Sequence, residues 1–524
     1  DKPGQMVGIF LLLPSFAYAA LTSCPATATR VAAVPPLAEW VASQGGDVSV
    51  VQAADAAQLG VGLVAARAVR RGDRLLSVPE ELAITAESAL RFELLGAYLV
   101  EFEPYLADYS FIAVALLNEE RLGEQSILAP WLSSACWQVE QHDLPLLWPL
   151  DDQAELEQST AAPCVERRLA AQADYEWLRE NVFEASPMVF PESVFSEASF
   201  LRALGRSLAL RRRPFQDTLP GHLPDTSRLA FSRCVFVPAG GRQGEPARPA
   251  LLPLVELCNH ADSPSASLHA RGPQAGLFGR GGEGGAVELT AQADLSAGDA
   301  LTLCYAEATR GELLLDYGFV AEPVPPEASL RFGVADDDPN YDEKAGVLER
   351  VGLSAVEQGF VVSEADPLPP DLLAYLRLVH LGPLSTPSDA FLLEALFADD
   401  LWREHLQQPV SRQNEAAALQ LGHDAVTSAL GKLRGDVQLD LASLAEAPRE
   451  SVGYRCAAVR YAERRAVSAA ANELRAALGS LDGLEYYQER RLKLLNLTPV
   501  ETEEELEALR SAGRRTSDSS SYDW

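Results

Sequence analysis

The sequence predicts an α+β protein in which small strand-rich pieces enclose a helical stretch, with an all-helical region following. Three observations carry this expectation. In Leu59 to Pro79, LGVGLVAARAVRRGDRLLSVP, β-prone residues flank the turn dipeptide Gly72-Asp73 and read as a hairpin. The same grammar recurs around Gly298-Asp299 in Ala293 to Tyr305, ADLSAGDALTLCY. Between the two, residues 82–213 carry apolar side chains at helical spacing, most clearly in Phe111 to Leu122. Residues 326–498 are helical in pattern again, with Ala390, Leu393, Phe397 and Leu401 on one face.

Taken in order, the N-terminus comes first. Ile9 to Leu21 is an apolar run too short to span a bilayer, and it ends near the small-residue pattern Ala17-Tyr18-Ala19. Thr22 to Val34 is rich in Ala and Thr, with Arg30 and no acid, as a transit peptide would be. Residues 1–34 are therefore expected to be a targeting segment; the alternative is a buried N-terminal helix. Residues 35–325 form the expected strand-bearing domain with its helical insert, and 326–498 a separate helical domain. The stretches Pro238 to Pro249 and Gly272 to Gly285 are Gly/Pro-rich and read as loops. Residues 499–524, acidic and then Ser/Asp-rich, read as a disordered tail.

Composition narrows the function classes. The 524 residues exceed what one core usually organises, and 47% hydrophobic content allows a large one. A formal charge of −32 and a pI near 4.6 argue against nucleic acid, whose binding needs a basic surface to release counterions. A partner displaying lysine is the natural electrostatic match, although acidity also serves solubility alone. Lysine is scarce, 4 against 39 arginines. Seven cysteines, at positions 24, 136, 164, 234, 258, 304 and 456, form no CxxC pair, so no disulfide framework or zinc cluster is expected. Cys258, His260 and Asp262 could be read as metal ligands, but one short segment without a second cluster points to no metal.

Two segments concentrate chemistry. In Pro253 to Asp262, PLVELCNHAD, an apolar run ends in Asn259 and His260. In Leu301 to Phe319, LTLCYAEATRGELLLDYGF, a strand pattern leads to a helix-like stretch and an aromatic-Gly-aromatic stop. Upstream, Gly60, Gly62 and Ala65 fit a dinucleotide-binding pattern with Glu80 or Glu81 as the ribose acid. That alternative fails because nine residues between Gly62 and Gly72 leave no room for the crossover helix.

Asn259-His260, with Tyr317-Gly318-Phe319 beginning 57 residues after His260, resembles the two signature segments of SET-domain methyltransferases. LPPDLLAYLRLVHLG (Leu368 to Gly382), DAFLLEALFADDLW (Asp389 to Trp402) and LEYYQERRLKLL (Leu484 to Leu495) resemble the C-terminal substrate-binding domain of one branch, the plastid Rubisco large-subunit lysine methyltransferases. The resemblance covers most of residues 38–497. It implies a SET domain of small curled sheets split by a helical insert at about 82–213, with S-adenosyl-L-methionine as cofactor. It also implies a protein-lysine acceptor: Rubisco large subunit, fructose-bisphosphate aldolase or another plastid protein. Another acceptor, lysine or histidine, and a non-enzymatic binding module remain as alternatives. A signal-like piece followed by a transit-like piece suits a plastid stroma reached through the secretory route, with no stable membrane insertion of the mature chain.

The resemblance also assigns roles. Gly60, Val61 and Gly62 would bring the backbone close to the cofactor, and Asn259 and His260 would hydrogen-bond to it. Where the family carries an acid just before this Gly-x-Gly, the chain has Leu59. The family's cofactor-binding arginine fits Arg213 in Arg211-Arg212-Arg213-Pro214-Phe215 or Arg228 in Ser227-Arg228-Leu229-Ala230-Phe231, with Arg213 preferred. Tyr317 and Tyr305 are the catalytic candidates, the first near the transferring methyl, the second lining the channel. Glu256, Tyr305 and Phe319 would form the lysine pocket. Methyl transfer needs a neutral amine, whereas free lysine has a pKa of about 10.4. Desolvation and a nearby sulfonium both disfavour the ammonium, so no dedicated strong base is required.

Overall fold

The computed structural model describes residues 27–56, 61–91, 96, 108–137, 144–207, 235–237, 248–272, 284–306, 308–381, 406–449, 451–487 and 489–490. Leu59, Gly60, Arg213, Arg228, the stripe from Ala390 to Leu401, the tail and the segment ahead of Thr27 lie outside the described residues. The first element, α1 (Thr27–Ser43), begins inside the expected targeting segment, and its Val34, Leu37 and Val41 are buried in the main core. Residues 27–34 are thus helical, and of residues 28–34 Val34 is the buried one.

Eleven strands are assigned among the described residues: β1 (Val51–Asp55), β2 (Val61–Ala65), β3 (Arg74–Pro79), β4 (Val235–Val237), β5 (Arg248–Ala250), β6 (Asn259–His260), β7 (Ala266–Arg271), β8 (Ala286–Ala291), β9 (Ala300–Leu303), β10 (Glu327–Phe332) and β11 (Gln358–Ser363). They form small sheets in the orders β1-β2-β9-β6, β3-β8-β7, β4-β5 and β10-β11. Arg248 and Pro249, expected in a loop, belong to β5.

Both expected hairpins differ from the structure in the same way. The turns form where the sequence places them, with Gly72 at φ 90° and Gly298 at φ 91°, conformations that favour glycine. Each turn is closed by its aspartate: Asp73 accepts from Arg70 N at 2.9 Å, and Asp299 from Ser296 N at 2.7 Å. The strands around each turn do not pair with each other, however. β2 pairs with β9 and β3 with β8, so the two turn regions zip together. Val69 and Leu295 exchange both main-chain hydrogen bonds at 2.9 Å, and Arg71 N donates to Asp294 Oδ1 at 2.8 Å.

Helices α2 (Ala86–Arg91), α3 (Asp108–Leu122), α4 (Cys164–Leu178) and α5 (Glu197–Ser207) occupy the expected insert. In α3 every residue from Tyr109 to Glu119 is buried, which is why its apolar pattern is broad rather than one-sided. Next in the chain, α6 (Arg310–Tyr317) starts with a reciprocal capping box between Thr309 and Glu312 and stops at Gly318, φ 78°.

The C-terminal part is helical, with α7 (Tyr341–Arg350), α8 (Pro370–Val379), α9 (Arg412–Lys432), α10 (Val437–Glu446) and α11 (Val452–Gly479). It also contains the β10-β11 pair, whose alternating ASLRF pattern sits in a region expected to be all-helical. Apart from α10, these elements share a second core around Leu330, Tyr375, Leu376 and Leu474, crossed by the buried ion pair Arg377 to Glu415 at 2.6 Å. A smaller cluster, including Trp148, Cys164, Leu314, Leu315 and Cys456, ties the insert, α6 and α11 together. At that junction Glu463 of α11 is buried and accepts from Thr160 N at 2.9 Å. No helix among the described residues is long and apolar enough to cross a membrane.

Candidate functional site

The site is organised on β9. β2 runs antiparallel to it on one side, with Leu63 opposite Leu301, and β6 runs parallel on the other, with Asn259 opposite Thr302 and His260 opposite Leu303. This brings the Gly-x-Gly strand and the Asn-His pair together. A Cβ on Gly62 would stand 2.7 Å from Asn259 Nδ2 and 3.2 Å from Ala56 Cβ, so the absent side chain leaves room for the carboxamide.

The approach to β6 is strained. Leu254, fully buried, has φ 68° and ψ −44°, and Val255 N bonds to Pro253 O at 2.9 Å across it, a γ-turn. Such backbone costs about 1–3 kcal/mol and persists only where the surroundings enforce it. The 3-10 turn Val255–Leu257 that follows presents Glu256, whose Oε1 accepts from Trp131 Nε1 at 2.6 Å. Trp131 comes from the insert and is fully buried.

His260 has its ring almost sealed from solvent, 3% exposed. Tyr305 N donates to Nδ1 at 3.2 Å, and Nε2 lies 3.3 Å from Asp262 Oδ1. Burial holds the imidazole below its ordinary value, outweighing the opposing pull of Asp262, so it is neutral at physiological pH. Asp262 is held below the usual carboxylate range, first by hydrogen bonds from Arg310.

Around this pair the aromatic rings converge. Ring centroids lie 4.9 Å apart for Tyr305 and Tyr317, 5.3 Å for His260 and Tyr305, and 5.8 Å for His260 and Phe319. Phe319 lies 6.1 Å from Tyr305 and 6.3 Å from Tyr317. The Tyr305 hydroxyl donates to Cys258 O at 2.6 Å and the Tyr317 hydroxyl to Tyr305 O at 3.2 Å. Tyr317 is also fixed from behind, because the preceding Asp316 accepts from buried Arg167 of α4 at 2.6 Å.

Of the candidates, Val61 and Gly62 fall on β2, Glu256 on the 3-10 turn before β6, Asn259 and His260 on β6, Tyr305 just after β9, and Tyr317 and Phe319 at the end of α6; Gly60, Arg213 and Arg228 lie outside the described residues. Trp131, Asp262 and Arg310 were not foreseen in these roles. Only the Thr309-x-x-Glu312 cap was a readable signal near Arg310. Burial pushes the Cys258 thiol up to about 12, so it stays protonated, and both His260 nitrogens are engaged. Among the described residues no group of three or more His, Cys, Asp or Glu could hold a metal.

The remaining donor set fits a sulfonium-bearing adenosyl cofactor. A backbone edge without a Cβ at Gly62 and the Asn259 carboxamide supply neutral hydrogen-bonding groups, while ring faces and carbonyls suit a positive centre.

Comparison with known proteins agrees. Residues 335–467 match the Rubisco LSMT substrate-binding family. The chain is 28% identical over 441 residues to the chloroplastic ribulose-1,5 bisphosphate carboxylase/oxygenase large subunit N-methyltransferase of Pisum sativum, covering 84% of this chain and 81% of that one. It is 27% identical over 466 residues to the chloroplastic [fructose-bisphosphate aldolase]-lysine N-methyltransferase of Arabidopsis thaliana, covering 88% and 86%. The crystal structure of the SET domain of LSMT bound to lysine and AdoHcy superposes with a TM-score of 0.65 at 26% identity, over 91% of this chain and 99% of that one. Along most of its length the chain is thus similar to the chloroplastic Rubisco large-subunit and aldolase lysine methyltransferases and to the SET-domain structures of LSMT, with the Rubisco LSMT substrate-binding match at residues 335–467.

Proposed function

We propose that this protein is an S-adenosylmethionine-dependent protein-lysine N-methyltransferase acting in the plastid on the Rubisco large subunit, on fructose-bisphosphate aldolase, or on both. The observation that carries the reading is the convergence of Tyr305, Tyr317, His260 and Phe319 beside the Gly62-Asn259 contact. When bound, S-adenosylmethionine supplies an electrophilic methyl on a positive sulfur. Val61 and Gly62 would hold it through their main chain, with Asn259 through its carboxamide and His260 through its main chain; Arg213 or Arg228 would complete the set.

In this reading the chain's own work is positioning and desolvation. Glu256, oriented by Trp131, accepts the incoming ammonium. The aromatic wall then strips water from it, which favours the neutral amine. The hydroxyl protons of Tyr305 and Tyr317 are engaged by main-chain carbonyls, so each oxygen acts as an acceptor that orients the amine. Residues 35–325 would perform this chemistry and residues 326–498 would dock the protein substrate. Chloroplastic relatives and the acidic surface support a plastid protein partner rather than nucleic acid.

The test is transfer of labelled methyl to purified Rubisco and aldolase. Label on either protein, reduced by about a hundredfold or more in Tyr317→Phe and Tyr305→Phe with cofactor binding retained, supports the assignment. Cofactor binding without label on any plastid protein would refute the proposed acceptors.

A further inference from the structure

Behind the two tyrosines lies a polar chain that joins the Pro253–Asp262 and Leu301–Phe319 segments to each other. It starts at Arg310, the first residue of α6, whose guanidinium is buried. Arg310 Nη1 and Nη2 donate to Asp262 Oδ1 and Oδ2 at 3.2 Å and 2.7 Å, and its Nε donates to Ala321 O at 3.1 Å and Pro323 O at 3.3 Å. Asp262 then meets His260 Nε2 at 3.3 Å, and His260 Nδ1 receives Tyr305 N at 3.2 Å. Glu327 of β10 closes the far end, accepting from Arg310 N at 2.8 Å.

The proton assignments along this chain are forced. An amide N–H can only donate, so His260 Nδ1 presents its lone pair. A neutral imidazole then carries its hydrogen on Nε2, facing a carboxylate that can only accept. A turn of the ring about Cβ–Cγ would put carbon where each nitrogen now bonds and lose both contacts. Asp262 faces solvent and alone would be free to rotate. The planar two-point grip of Arg310, itself fastened by two carbonyls, removes that freedom.

We infer that Asp262 and Arg310 are positioning residues for methyl transfer, acting through the His260 ring to fix the main chain of Tyr305. The inference rests on the proposed place of Tyr305 in the acceptor channel. Tyr305 is then restrained at its N–H by His260, at its carbonyl by Tyr317 and at its hydroxyl by Cys258 O. Loosening the first lets the hydroxyl drift from the amine while the cofactor's contacts on β2 and β6 remain.

The test uses the full chain and four variants, Asp262→Ala, Asp262→Asn, Arg310→Lys and His260→Gln, the last to assign the ring signals. In Asp262→Ala, kcat is expected to fall about tenfold to a hundredfold, with the KM for S-adenosylmethionine held within a factor of about three. Asp262→Asn should recover part of the rate, because its amide oxygen still accepts from Nε2–H while its NH2 group opposes Arg310 Nη2 and gives up one arm of the grip. Arg310→Lys should not, because an ammonium lacks the fork. In parallel, 15N NMR of histidine-labelled protein should show His260 as a single neutral Nε2–H tautomer, a signature lost in Asp262→Ala. A kcat loss that only follows the folded fraction, with that signature unchanged, overturns the inference; so does an unchanged kcat. Should the wild-type chain transfer no methyl at all, the functional reading fails separately. The NMR arm then decides alone: an unchanged tautomer in Asp262→Ala overturns the chain, and a changed one upholds it.

Discussion

Replacing Gly62 with alanine separates site geometry from stability more sharply than removing a whole side chain. The added Cβ would lie 2.7 Å from Asn259 Nδ2, short by about 0.7 Å of the 3.4 Å at which ordinary contact begins. The second neighbour, Ala56 Cβ at 3.2 Å, is only slightly tight, so the strain falls on the Asn259 carboxamide. That group can turn aside, at about 0.5–1.5 kcal/mol for an off-rotamer side chain. Folding therefore survives, while a displacement approaching 1 Å at a ligand contact costs up to about a hundredfold in rate. Calorimetric titration with S-adenosylhomocysteine should show affinity weakened about tenfold, equivalent to about 1.4 kcal/mol, and single-turnover methyl transfer should slow further. Melting temperature, followed by circular dichroism, should stay within a few degrees. Wild-type affinity in Gly62→Ala, with folding intact, would show that Asn259 and the β2 edge do not face the cofactor.

Two further outcomes follow from groups outside that contact. Burial, with repulsion from Glu312 and Glu327 added, pushes the Glu463 carboxyl from its ordinary 4.5 up to about 7, against the hydrogen bonds from Thr160. The folded state thus holds a proton that the unfolded state has released, so stability falls as pH rises from about 4.5 to 7 and is flat above, a cost of about 3 kcal/mol. Glu463→Gln, whose amide oxygen can still accept from Thr160, should flatten this limb in urea unfolding and be the more stable protein above pH 7; an unchanged slope would refute the assignment. Trp131→Phe removes the donor to Glu256, a hydrogen bond to a charged group worth about 1.5–3 kcal/mol. The KM for the protein acceptor should rise about tenfold with that for S-adenosylmethionine unchanged, and both moving together would argue that Glu256 does not face the acceptor.

What was legible in the sequence was local. Both Gly-Asp turns and the helical spacing of Phe111 to Leu122 are properties of a few consecutive residues, and each sits where its pattern placed it. Strand pairing is not local, so two correct turns supported two incorrect hairpins. The β10-β11 pair was hidden for a related reason: Gln358–Ser363 shows a strand pattern only when its partner is known. Within the site, the aromatic and Asn-His segments stood out because unusual residues cluster in them. Trp131, Asp262 and Arg310 did not, because their roles depend on distant partners: Trp131 meets Glu256 125 positions away, and Asp262 and Arg310 meet each other across 48.

The zipped turns also set an order of events during synthesis. Arg71 and Asp294, which hydrogen-bond at the junction of the two turn regions, are 223 positions apart, and β2, paired locally with β1, finds its second partner only when β9 exists. Closing a loop of that size is entropically slow, so the open edge of β2 and the pairing of β3 with β8 must wait while the helical insert emerges and packs. A nascent chain ending before β9 would display β2 as an open edge, a ready template for wrong pairing. The methyl-transfer shelf is thus among the last parts of its domain to come into being, and chaperone dependence should track the time the ribosome takes to travel from Ala65 to Ala300.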